Sequence, residues 1–143
     1  LLYREEEREM IPLCLDAGVG LVPWSPLGRG LLTRPRPSDG HVKGPGTPRS
    51  LSDTYSPTLY GDPSDWLVVD AVERVATARG LPMAQVALAW LLSRPGVVAP
   101  IIGATRMAHL DDAISGTSIA LDAAECAALE APYVARGVKG HDV

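Results

Sequence analysis

Two short, unbroken apolar runs constrain this chain more than any other feature: Val19-Gly20-Leu21-Val22-Pro23-Trp24 and Val97-Val98-Ala99-Pro100-Ile101-Ile102-Gly103. Neither alternates polar with apolar residues, so each predicts a strand buried on both faces, as in a parallel sheet. The first run follows a helical pattern of Met10, Ile11, Leu13, Cys14 and Leu15, closed by Gly18 where a helix needs a left-handed stop. Pro12 is tolerated only in a first turn, which puts that helix's start near Arg8 or Glu9, behind acids at the positive end of its dipole. Helix, glycine turn and buried strand make half of a βαβ unit. Two such strands cannot form a sheet with both edges open, because their backbone groups and apolar faces need partners. The expectation is an incomplete sheet, part of a longer polypeptide or assembled with another chain. A first residue other than Met points the same way.

Between the runs the character changes. Residues 35–65 contain prolines at 35, 37, 45, 48, 57 and 63 and no sustained apolar period, which predicts a long Pro/Gly loop. Loops of that length are functional covers or mobile linkers, and spacing does not choose between them. Ser64 is the cap the pattern nominates for a helix through Leu67, Val68, Val72, Val75 and Ala76 to Arg79-Gly80. A second helix runs from Pro82 to Ser93 and ends at Arg94-Pro95-Gly96. Met107, Leu110 and Ile114 give a short helix behind Thr105. Asp122 and Glu125 have capping-box spacing, with Leu121 and Cys126 placed for a hydrophobic staple, so a last helix covers about 123–131 before Pro132. No internal repeat is present.

Composition narrows the class. A length of 143 residues with 46% hydrophobic residues fits one domain, and no apolar run approaches a membrane span. The 13 Lys and Arg are scattered among 17 acids, which argues against nucleic acid and anionic membranes as partners. Cys14 and Cys126 lie far apart, as do His41, His109 and His141, so neither a disulfide framework nor a metal-ligand spacing is present. A cytoplasmic protein is expected.

Two segments carry chemistry. In parallel α/β folds ligands gather at the carboxyl ends of strands. After the first strand, Trp24 offers a flat face, Ser25 and Thr33 offer hydroxyls, and Gly28 and Gly30 allow close backbone approach. The plainer reading makes Trp24 core and the glycines a turn. After the second strand, Gly103 leads into a Thr105-capped helix, which aims backbone amides and the helix dipole at one point and suits a phosphate. Arg106, placed in the first turn, adds a planar multidonor cation, or is merely solvated. His109 and Asp112 follow one turn on. Neither segment holds a nucleophile with a base.

The stretch Leu1-Leu2-Tyr3-Arg4-Glu5-Glu6-Glu7, the motif Pro23-Trp24-Ser25-Pro26-Leu27-x-x-Gly30-x-Leu32-Thr33, the helix Gln85-Val86-Ala87-Leu88-Ala89-Trp90-Leu91-Leu92 and Pro100-Ile101-Ile102-Gly103-Ala104-Thr105 together resemble the carboxyl-terminal half of aldo-keto reductases. The match looks nearest to a bacterial branch related to potassium-channel beta subunits and to 1-deoxyxylulose 5-phosphate and xylulose-type reductases. The resemblance implies an α/β fold, the last three strands or so of a (β/α)8 TIM barrel with their helices, spanning residues 1–143 as a partial barrel. It implies NADPH as cofactor and a small carbonyl compound as substrate, with an amino-terminal half needed to complete the barrel. By family pattern, Trp24 would stack on the nicotinamide. Ser25, Pro26, Leu27, Gly28 and Gly30 would wrap the pyrophosphate, with Arg34 near the same phosphates. Gly103, Thr105 and Arg106 would hold the 2′-phosphate, with His109 and Asp112 near the adenine. The family often has Gln, Glu and Asn where this chain has His109, Asp112 and Ala113. Its catalytic Asp, Tyr, Lys and His lie on earlier strands, so no catalytic residue is assigned here. A regulatory nicotinamide-binding module without catalysis, or an inactive fragment, is the alternative.

Overall fold

A computed structural model describes residues 1–37 and 59–139. Most of the loop expected over residues 35–65 therefore lies outside the described residues. A 3-10 turn at Glu5–Glu7 precedes helix α1, Met10–Asp16, in which Pro12 is the third residue. Gly18 takes the left-handed stop with φ +67°, and the Val19 amide closes on Cys14 O at 2.7 Å.

Helices α2, Pro63–Arg79, and α3, Met83–Leu92, form the centre of the molecule and cross at 104°. The start of α2 corrects the sequence reading. Asp62, not Ser64, is the cap: its carboxylate accepts from the Ser64 amide at 3.0 Å, while Asp65 Oδ2 accepts from the Asp62 amide at 3.1 Å. A carboxylate at the first turn also meets the helix dipole, an advantage a hydroxyl lacks, and Pro63 fits where no intrahelical donor is needed. The α2 core face buries Trp66, Val68, Val69, Val72, Val75 and Ala76. Helix α3 is apolar apart from Gln85 and is buried from Met83 to Trp90 except for the half-buried Ala84, as a helix without a polar face must be. Leu2, Leu32 and Leu129 complete this core. No single helix among the described residues is long and apolar enough to cross a membrane, and the bent α2–α3 pair is this core.

Helix α4, Met107–Gly116, lies against α3. Gly116 makes that approach possible: a Cβ there would stand 3.3 Å from Leu88 Cβ and 3.4 Å from Gln85 O. Helix α5, Ala123–Glu130, starts with the reciprocal Asp122–Glu125 box that its sequence spacing predicts, and Leu121 and Cys126 both pack on the core.

The two apolar runs are parallel neighbours, but they do not form the buried strands expected. Only isolated bridges join them, Leu21 with Val97 and Trp24 with Ile101. Pro23 and Pro100 fall between the bridges, and each removes an amide donor from the ladder. Val19, Val22, Trp24, Val98 and Ile101 are 52–63% exposed. Parallel segments are buried only where layers cover both faces. Among the described residues no layer lies over these side chains.

The carboxyl-terminal tail ties the ends together. Tyr133 donates its hydroxyl to Glu5 Oε1 at 2.7 Å and accepts from the Arg4 amide at 3.0 Å. The Arg136 amide reaches the same Glu5 oxygen at 2.8 Å, and its guanidinium pairs with Asp65. Glu130 on α5 accepts from Trp90 Nε1 at 2.9 Å and Arg94 Nη1 at 2.7 Å, and Arg4 lies over the Trp90 ring.

Candidate functional site

The register of the two bridges decides what lies where. Leu21 donates to Gly96 O at 2.8 Å, Val98 to Leu21 O at 3.0 Å and Ile101 to Pro23 O at 2.8 Å, so both segments run the same way. Their exits, the loop after Trp24 and the loop after Ile102, consequently open at the same end.

The first loop is tightly wound. Gly28 donates to Ser25 O and Gly30 to Leu27 O, each at 3.0 Å, and a kinked 3-10 segment covers Gly28–Thr33. Ser25 (φ +48°) and Arg29 (φ +54°) are the two non-glycine residues with positive φ among the described residues, and both lie here. Such strain persists where packing over-determines it and gathers at ligand sites. The anchor is Gly28: a Cβ there would come within 2.5 Å of the buried Leu2 Cδ1, at φ +55°. A side chain there would have to displace Leu2 and hold a left-handed backbone, both of which favour glycine. At Gly30, by contrast, the space beside the backbone is polar, with Arg34 Nη2 3.7 Å and Thr33 Oγ1 4.0 Å from where a Cβ would be. Pro26 and Leu27 are half-buried, and the exposed Trp24 stands at the loop's entrance.

The second loop corrects one expectation. The cap of α4 is Arg106, in extended conformation and with no side-chain cap bond, so Arg106 precedes the first turn and Thr105 does not cap. Thr105 Oγ1 lies 3.4 Å from His109 Nδ1 instead. An arginine cannot accept a hydrogen bond, so no side chain closes the amino end of this helix. The exposed Gly103, Thr105, Arg106 and His109 surround that open end. Asp112 points differently: its Oδ1 accepts from Gln85 Nε2 on α3 at 2.8 Å. The sequence reading did not single out Gln85. Its signal was available, since it is the one residue with a strongly polar side chain from Met83 to Leu92.

A cationic, glycine-lined loop and an uncapped helix end at the mouth of neighbouring parallel segments suit an extended anionic ligand. The profile of the Aldo/keto reductase family matches residues 1–133. The chain belongs to the aldo/keto reductase family. Similar members include the versiconal hemiacetal acetate reductase of Aspergillus parasiticus, 42% identical over 96% of this chain and 39% of that protein. The aldo-keto reductase AFTS1 of Alternaria alternata is 40% identical over 99% of this chain and 36% of its own length. Both are fungal, whereas the sequence expectation named a bacterial branch. A crystal structure of a thermostable aldo-keto reductase with the inhibitor epalrestat superposes with a TM-score of 0.58 at 28% identity, covering 90% of this chain and 35% of that one. The chain thus spans under two fifths of the length of these reductases. The structural likeness supports the TIM-barrel expectation.

Proposed function

We propose that this chain is the cofactor-binding, carboxyl-terminal part of an NADPH-dependent reductase that converts aldehydes or ketones to alcohols. The observation that carries this reading is the parallel pairing of Leu21 with Val97 and Trp24 with Ile101, which opens the two loops at one end. The donors fit a phosphorylated dinucleotide. Residues 25–30 bring backbone close to a pyrophosphate, and Arg34 beside Gly30 supplies its counter-charge. Gly103, Thr105 and Arg106 offer a guanidinium, a hydroxyl and an uncapped helix end to the 2′-phosphate. Trp24 gives the nicotinamide a face to rest on and sheds water from it. When bound, the cofactor supplies hydride to a carbonyl carbon. This chain's residues bind and orient it, while the proton donor belongs to the remainder of the barrel.

Titration of NADPH into the chain, followed by energy transfer from tryptophan to the reduced nicotinamide, tests the reading. Saturable binding displaced by adenosine 2′,5′-bisphosphate is the expected result. A linear, non-saturating signal overturns it.

A further inference from the structure

Resting on the NADPH reading above and on the place beside the adenine that the family resemblance gives Asp112, we infer that Gln85 is a positioning residue that holds the Asp112 carboxylate in the orientation that accepts from the adenine amino group. A glutamine inside an otherwise apolar helix is costly to bury unless it is hydrogen-bonded. Gln85 is only 9% exposed, and its Nε2 meets Asp112 Oδ1 at 2.8 Å. The bond crosses from α3 to α4 one turn before Gly116, where the two helices approach closely. It fixes both the rotation of α4 and the plane of the carboxylate.

One oxygen of Asp112 is thereby occupied, and Oδ2 has no hydrogen-bond partner among the described residues. A carboxylate only accepts. The free oxygen therefore selects a donor, and the exocyclic amine of adenine is a donor where hypoxanthine presents a carbonyl. Six residues separate Arg106 from Asp112, about 9 Å of helical rise, which matches an adenosine laid from its ribose phosphate to its amino group. Without Gln85 the carboxylate would rotate, and the choice between the two bases would go with it. The bond's effect on base choice separates positioning from mere support of the helix.

The experiment is calorimetric titration of the chain with adenosine 2′,5′-bisphosphate and with inosine 2′,5′-bisphosphate. Wild type is expected to prefer the adenosine compound by on the order of ten- to a hundredfold, the scale of one hydrogen bond to a charged group. Gln85→Met and Asp112→Ala should each abolish most of that preference, and the double variant should lose no more than either alone. Equal weakening of both ligands in Gln85→Met, with the preference kept, makes Gln85 a helix support and overturns the inference while leaving the NADPH reading intact. Preference retained in Asp112→Ala overturns it even if Gln85→Met does not fold. Failure of wild type to bind either compound removes the NADPH reading and this inference together.

Discussion

Arg136 reaches from the carboxyl-terminal tail to the first turn of α2, where its Nη2 donates to Asp65 Oδ1 at 2.7 Å with both side chains more than nine-tenths buried. The same guanidinium leaves Nε and Nη1 buried without partners among the described residues. Burying a charge whose other donors go unpaired is tolerable only while its one counter-ion stays. Removing Arg136 alone strands the Asp65 carboxylate, which also accepts from the Gly61 and Asp62 amides. Arg136→Met should cost about 3 to 5 kcal/mol. Adding Asp65→Asn should restore part of that loss, because no uncompensated charge remains. Urea denaturation of the single and double variants is the measurement, and a double variant less stable than Arg136→Met would refute the account.

The Glu5–Tyr133 contact makes stability depend on pH at both extremes. The Arg136 amide, then the Tyr133 hydroxyl, hold the Glu5 carboxyl below its usual range, while burial opposes them. A depressed carboxyl contributes stability above its unfolded value, near 4.5, and loses it as pH falls through the lower folded value. Tyr133 moves the other way: burial, then the bond to Glu5, push its hydroxyl up to about 12. Its contribution is complete below pH 10 and disappears as pH rises from 10 toward 12. Tyr133→Phe should flatten the alkaline limb and Glu5→Gln the acid limb in thermal melts across pH. Unchanged limbs would show that other groups govern them.

Arg106→Ala should weaken NADPH on the order of ten- to a hundredfold, from the worth of a hydrogen bond to a charged group, roughly 1.5 to 3 kcal/mol. NADH lacks the 2′-phosphate and should bind nearly as before. Fluorescence titration of both cofactors at one salt concentration measures this, because exposed charges are screened. Equal losses for NADPH and NADH would place the phosphate site elsewhere.

Val19, Val22, Val98 and Ile101 present an exposed apolar face on two segments with unfilled backbone pairing. Such edges recruit other chains. The chain should self-associate as its concentration rises in gel filtration, and Val98→Lys with Ile101→Lys should reverse this. The amides of Gly20, Val22, Ala99 and Ile102, which donate no backbone hydrogen bond among the described residues, should exchange rapidly. A compact wild-type monomer with those amides well protected would contradict this account.

Much of this architecture is local and therefore legible in residue order. The Asp122–Glu125 box and the left-handed stop at Gly18 need only neighbours within a turn, and each lies where its spacing predicts. The parallel relation of the two apolar runs was legible too, because a helix between like strands leaves few alternatives. Contacts between distant residues decided the rest. Leu2 fills the space beside Gly28 although the two lie far apart in the sequence. Whether a run of valines is buried is set by what covers it, so apolar sequence alone could not foresee that Val22 and Val98 lie exposed. The Gln85–Asp112 bond spans 27 residues, a separation at which periodicity carries no information and only packed helices bring donor to acceptor.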